Sequence, residues 1–242
     1  MTKLLFLDDA YMQQTDAVVT GVSDDGGVIL DQTVFYAGGG GQPCDTGTLT
    51  DLATGNSCAV TKVGRVSGSV VHTVPGEPAL TVGTTVRAAI DWDRRYQLMR
   101  THTALHILCG VVWRDYGALV TGGDMRPGAA RMDFELENMS AEFAHEIETT
   151  INLEVAQERD INVDYLHRSA ADAHPDLIRT KVNLLPPAIS EVRTIDITGL
   201  DLQADGGTHV RNTREVGRIR VVGHESKGRI NKRLRIELEE GK

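Results

Sequence analysis

Residues 91–116 read DWDRRYQLMRTHTALHILCGVVWRDY. Trp92, Tyr96, Met99, Cys109, Trp113 and Tyr116 recur at three- and four-residue steps, and no proline interrupts them. A helix keeps such positions on one side, so the stretch predicts a single long amphipathic helix. Asp91 stands where an N-cap acceptor is needed. This helix divides the chain, because the sequence on either side of it has a different period.

Before it, residues 1–90 carry short β-branched runs: AVVTGV (17–22), GGVILDQTVFY (26–36), GTLTDL (47–52), CAVTKV (58–63), GSVVHTV (68–74) and TTVRAAI (84–90). Gly, Asp, Asn and Pro punctuate them. Strands this short and this evenly spaced predict a small β-barrel. The opening MTKLLFLDDAYMQQ lacks the apolar core and cleavage site of a secretory leader and is expected to form a first strand.

After it, GALVTGGDMRPGAARMDFEL (117–136) predicts loops and strands. Ser140 is a second N-cap, for a helix through AEFAHEIETTINLEVAQER (141–159) with Phe143, Ile147, Ile151 and Val155 as its apolar stripe. INVDYLH (161–167) and EVRTIDI (191–197) predict strands, SAADAHPD (169–176) a short turn or helix, and residues 216–240 a closing hairpin. The expected class is therefore α+β. A barrel at 1–90 precedes an α+β domain at 91–242, in which the long helix packs on an antiparallel sheet.

Composition bounds the function. With 40% apolar and 24% charged residues, the chain is ordinary for a globular protein. No apolar run approaches the roughly 20 residues that a membrane helix needs, so no membrane partner is expected. Cys44, Cys58 and Cys109 are odd in number and irregular in spacing. They predict no disulfide framework and a reducing, cytoplasmic setting. Net charge is −9. From Val210 to Lys242, however, ten Lys or Arg face five Asp or Glu, a net of +5, while the other 209 residues carry 15 basic and 29 acidic side chains, a net of −14. A basic end on an acidic protein suits local contact with a phosphate backbone, and equally suits a solvated pair of strands.

Three motifs carry chemistry. His102 and His106 stand at i and i+4 on the predicted helix, a spacing that lets two imidazoles reach one cation. The glutamate of HExxH is missing from HTALH, which argues against a metalloprotease. In ADGGTHV (204–210), two glycines permit a tight turn that brings Asp205 and His209 together. Asp205 can complete a four-ligand set, or it can orient one of three ligating histidines from behind. A carboxylate also admits divalent metals other than zinc. In FYAGGGGQPCDTG (35–47), the glycines before Gln42 allow a ligand close to the backbone, but no GK[ST] follows as in a P-loop.

Taken in order, FYAGGGGQPCDTG, RTHTALHIL (100–108) and DGGTHVRNT (205–213) make the sequence resemble the stand-alone alanyl-tRNA editing proteins of the AlaX group, medium form. These are similar to the editing domain of alanyl-tRNA synthetase and, more distantly, to that of threonyl-tRNA synthetase. The resemblance spans nearly the whole chain, and ESKGRINKRLRIELE (225–239) is similar to the family's basic hairpin. It implies an aminoacyl-tRNA hydrolase acting on mischarged tRNA(Ala), chiefly Ser-tRNA(Ala) and also Gly-tRNA(Ala), through the tRNA acceptor end and not on DNA. It implies one Zn2+ per chain on His102, His106, Asp205 and His209, with Asp205 where the family carries cysteine. Gln42, Thr103, His102 and His106 are the implied catalytic residues. Gly39, Gly40, Gly41, Gln42 and Thr103 are the implied substrate contacts, Gln42 and Thr103 being the candidates for pairing the seryl hydroxyl. Arg211, Arg214, Lys227, Arg229, Lys232 and Arg233 are the cations available to tRNA. Two other classes fit the same residues: a non-catalytic tRNA-binding module with a structural metal, and a metal-dependent hydrolase of small esters or amides.

Overall fold

The computed structural model describes residues 2–23, 26–76, 80–182 and 185–239. The chain forms two units, Met1–Gln97, built mainly of strands, and Leu98–Lys242, of helices and strands together.

In the first unit the strands are β1 (Lys3–Leu4), β2 (Gln14–Val22), β3 (Val28–Leu30), β4 (Gln32–Thr33), β5 (Gly47–Asp51), β6 (Ser57–Val60), β7 (Lys62–Val66), β8 (Ser69–Thr73) and β9 (Thr85–Ile90). Seven form one antiparallel sheet in the order β6-β5-β9-β2-β3-β8-β7, and β1 pairs with β4 beside it. The expected first strand is thus only two residues long, and Leu5–Leu7 turns as a short 3-10 segment. β2 serves two neighbours: Gln14–Val18 pairs with β9, and from Val19 onward, past a register shift at Val19/Gly21, it pairs with β3. Alternation does the rest, since Val19, Leu30, Leu49, Val60, Val63, Val86 and Ala88 all turn inward and are buried.

The glycine stretch is a tight turn. Gly39 and Gln42 exchange backbone hydrogen bonds of 3.1 and 2.9 Å, and the two glycines between them have φ of 59° and 89°. Only glycine adopts two such angles in succession without strain. Asp45 anchors its far side: the carboxylate accepts the Tyr36 N–H at 2.7 Å and pairs with the Arg95 guanidinium. Arg95 is fully buried and also donates to the carbonyls of Ala10 and Val34 at 2.9 and 2.7 Å. A buried cation so completely bonded is tolerated, and losing one partner would leave the other stranded.

Helix α1 (Trp92–Tyr116) starts as expected, with the Arg94 N–H capped by the Asp91 carboxylate at 3.1 Å. It is not one-sided. Every residue from Leu98 to Val112 is buried, whereas Trp92, Tyr96 and Trp113 are only half-buried and Tyr116 is exposed. The aromatic ring residues mark the ends of the helix, and its middle is covered on all faces.

The second unit adds β10 (Val120–Arg126), β11 (Ala129–Phe134), α2 (Ala141–Ala156), β12 (Ile161–His167), α3 (Arg168–Ala173), β13 (Glu191–Ile197), β14 (Asp201–Ala204), β15 (Ile219–Ser226) and β16 (Lys232–Leu238). β10-β11-β16-β15 and β12-β13-β14 are two antiparallel sheets. Ser140 caps α2 through the Phe143 N–H at 3.1 Å, but the helix ends at Ala156, three residues before the predicted end. Its buried side is Ala144, Ile147, Ile151 and Glu154, rotated from the predicted stripe: Phe143 and Val155 are half-buried, and the Glu154 carboxylate takes the inner place because Arg114 and Arg159 pair with it. The hairpin β15–β16 forms as predicted, its last expected residue, Glu240, lying outside the described residues. Cys44, Cys58 and Cys109 are free thiols, and among the described residues no helix is long and apolar enough to cross a membrane.

His72 gives this fold a pH dependence. It is wholly buried. Its Nδ1–H donates to the Val28 carbonyl and its Nε2 accepts from the Thr33 hydroxyl, both at 2.9 Å. Thr33 in turn accepts the Phe35 N–H at 3.1 Å. Burial pushes the imidazole down to about 4, against an opposing pull from the Val28 carbonyl. The unfolded chain takes up this proton near pH 6.5 and the folded chain only near 4, so stability falls as pH drops across that window and levels below it. The loss reaches roughly 3 kcal/mol. Denaturant unfolding of wild type and His72→Gln between pH 7 and 4 will show that share of the slope vanishing in the variant.

Candidate metal centre

α1 carries His102 and His106 one turn apart in its buried middle, and the turn after β14 carries Asp205 and His209. One ligand atom from each lies within 4.8 Å of all the others. His209 Nε2 is 3.1 Å from Asp205 Oδ1, and His102 Nε2 is 3.6 Å from Asp205 Oδ2. A tetrahedral ion with bonds of about 2.0–2.1 Å keeps its ligand atoms roughly 3.3 Å apart, so these donors suit a small divalent cation. The three rings are close, with centroids 4.2 to 5.1 Å apart.

The turn is built to hold this shape. Asp205 Oδ1 accepts the Gly207 N–H at 2.6 Å, an Asx turn that folds the carboxylate back over its own backbone. Arg193 on β13 donates to the carbonyls of Asp205 and Gly207 at 2.9 and 3.0 Å, and the Asp205 N–H returns to the Arg193 carbonyl at 3.1 Å. Thr103, fully buried on α1, accepts the Val210 N–H at 3.3 Å and shares a 3.2 Å hydrogen bond with His209 Nδ1. When that ring nitrogen is the donor, His209 Nε2 keeps the lone pair that a metal needs. His106 Nδ1 lies 3.1 Å from Asp201 Oδ2, and Gln203 Nε2 donates to the same oxygen at 2.6 Å.

The electrostatics hold two of the three rings neutral beside a carboxylate and raise the third. Burial pushes His102 down to about 4 despite the opposing charge of Asp205. Burial, and then the neighbouring His102, hold His209 well below its ordinary value. Burial alone would lower His106 as well, but the Asp201 hydrogen bond and charge outweigh it and the ring is raised. Asp205 is pushed up by burial, yet the surrounding imidazoles of His102, His209 and His106 hold it well below the usual carboxylate range. Unprotonated imidazoles beside a carboxylate are the state in which ligands bind metal.

Gln42 is buried at the base of its turn, while Gly39, Gly40 and Gly41 are exposed. Arg211, Arg214, Lys227 and Arg229 are exposed. Lys232 is buried, its ammonium donating to the carbonyls of Gly228 and Arg229 at 2.6 and 2.9 Å, and Arg233 grips Asp133 with two bonds of 2.7 Å. Asp201, Gln203 and Arg193 were not singled out from the sequence. Asp201 and Gln203 alternate along DLQA and so share one face of β14, a signal that the sequence does carry.

The chain is similar to known proteins along nearly its whole length. The family described as tRNA synthetases class II (A) matches residues 5–94, and the threonyl and alanyl tRNA synthetase second additional domain matches residues 192–235. The alanyl-tRNA editing protein AlaX-M of Methanosarcina barkeri is 36% identical over 241 residues, covering 98% of this chain and 99% of the relative. AlaX-M of Saccharolobus solfataricus is 38% identical over 235 residues, 97% and 98% of the two chains. The alanine–tRNA ligase of Pyrococcus furiosus is 36% identical over 224 residues, 91% of this chain but only 24% of the ligase.

Thr103→Val keeps the volume and removes the hydroxyl, stranding the buried Val210 N–H and His209 Nδ1. Metal-free protein carrying it will unfold with about 1–3 kcal/mol less stability at unchanged m, measured in urea.

Proposed function

The chain belongs to the alanyl-tRNA editing proteins of the AlaX-M kind, and from that premise we propose that it is a trans-editing deacylase of mischarged tRNA(Ala), with Ser-tRNA(Ala) as its main substrate and Gly-tRNA(Ala) as a second. The observation that carries this reading is the convergence of His102, His106, Asp205 and His209, from motifs about a hundred residues apart, within 4.8 Å. The domains we propose are a small β-barrel at 1–90, whose sheet ends on the sequence neighbours β6 and β7, and an editing domain at 91–242 built around α1 on antiparallel sheet.

Hydrolysis splits the ester between the aminoacyl carbonyl carbon and a hydroxyl of the terminal ribose. Water supplies the hydroxyl that ends on the amino acid and the proton that ends on the ribose. His102, His106 and His209, with Asp205, would hold one Zn2+, which when bound supplies a Lewis acid able to polarise a carbonyl or orient an amino group. Their lone pairs are available at neutral pH because burial keeps His102 and His209 unprotonated. Thr103 keeps His209 in place and is our candidate, with Gln42, for pairing the seryl hydroxyl. A site that hydrogen-bonds a substrate hydroxyl rejects the analogue lacking it far more strongly than an apolar pocket rejects an added one. The exposed turn at Gly39, Gly40 and Gly41 is proposed to contact the substrate from the first unit.

The acceptor end of tRNA would be held by phosphate contacts from Arg211, Arg214, Lys227 and Arg229. Lys232 and Arg233 shape the hairpin that presents Lys227 and Arg229, since their own charges are spent on the Gly228 and Arg229 carbonyls and on Asp133. The setting proposed is the cytoplasm, where charged tRNA is used.

Two measurements test this. Purified protein should contain one zinc per chain and deacylate Ser-tRNA(Ala), sparing Ala-tRNA(Ala) and a free seryl ester. His102→Ala with His106→Ala should lose both metal and turnover. Full activity in zinc-free protein would remove the metal from the chemistry, and binding without turnover would make the protein a carrier. Arg229→Ala and Lys227→Ala should each lower the slope of log K for tRNA against log salt by about one, without changing preference among aminoacyl groups.

A further inference from the structure

Behind the candidate ligands stands a carboxylate of a different kind. Asp201 opens β14 and is 3% exposed. Its Oδ2 lies 3.1 Å from His106 Nδ1 and accepts the Gln203 amide at 2.6 Å. Its Oδ1 lies 3.7 Å from Arg179 Nε, an ion pair in which the buried guanidinium also sits 4.5 Å over the Trp113 ring. The Oδ2 atom already serves as an acceptor for the Gln203 amide, so the 3.1 Å contact has His106 Nδ1 as its donor, and a neutral ring then has its lone pair on Nε2 alone.

We infer that Asp201 is a positioning residue of the metal centre: it locks His106 in the Nδ1–H tautomer, so that Nε2 is the atom offered as ligand, and it places a second carboxyl group behind a ligand set that contains no thiolate. The inference rests on reading the four converging residues as a metal centre. Gln203 and Arg179 serve Asp201 rather than the metal. The amide fixes Oδ2, and the guanidinium lies 3.7 Å from Oδ1 on the other side of the carboxyl group. A carboxylate bonded to the far nitrogen of a ligating histidine both orients the ring and raises its basicity, and losing such a partner typically costs 10–100-fold in metal affinity.

The test uses the whole protein. Nitrogen-15 spectra of the His106 ring in metal-free wild type, taken at a pH where the ring is neutral, should show its one hydrogen on Nδ1, and a neutral ring with that hydrogen on Nε2 would overturn the inference outright. Asp201→Asn puts an amide where the two oxygens served His106 and Arg179 at once, and it cannot serve both. Its His106 ring should become a mixture of tautomers, and its zinc affinity, from competition with a chelator, should fall by about 10–100-fold. Wild-type affinity with a wild-type tautomer in Asp201→Asn would sink the role. A wild type that binds no zinc at all would refute the metal centre itself, while the tautomer measurement would still decide what Asp201 does.

Discussion

A helix buried on every side leaves none of its polar side chains a route to water. The middle of α1 carries five such residues within seven positions: Arg100, Thr101, His102, Thr103 and His106. Each unpaired group would cost about 1–3 kcal/mol, and a stranded charge more. The second unit meets that demand from its later segments. Arg100 donates to the carbonyls of Glu215, Val216 and Glu239, Thr101 accepts the Gly128 N–H, Thr103 takes Val210 and His209, and His106 takes Asp201. The placement of β14, its following turn and the chain end around α1 is therefore the solution to a bonding problem that the helix sets. The candidate metal site lies where that solution gathers three imidazoles and a carboxylate.

The two motifs were legible because each is local. A spacing of four on a helix and a turn permitted by two glycines are fixed within a few residues. The strands of the first unit were legible for the same reason, being short alternating runs between breakers. The character of α1 was not. Its aromatic residues repeat with helical period, but they cluster at its ends, and the burial of His102 and Thr103 depends on partners a hundred residues away. Nor did the formal charge of Lys232 reveal that its ammonium closes a loop. A count of cations records charge without showing what already uses it.

Asp205 gains meaning in the same way. A carboxylate in place of a thiolate changes the hardness of the donor and leaves its charge the same. Its Asx bond to Gly207, together with the grip of Arg193 on the turn's carbonyls, means the position is doubly used, once by the backbone and once by the site. A thiol accepts a backbone hydrogen bond poorly, so the aspartate suits a turn that folds itself without help from a metal.

Gly110 is the residue that lets Asp201 come close. A Cβ there would meet Asp201 Cβ and Leu200 Cγ at 3.0 Å. Glycine inside a helix costs about 1 kcal/mol relative to alanine, and this one stands one turn beyond His106, on the same side of the helix. The histidine pair is therefore better written H-x-x-x-H-x-x-x-G, where the third term carries no ligand and makes room for the group that steers the second. A helix grafted elsewhere with only the two histidines would reproduce the spacing of the donors and none of their orientation.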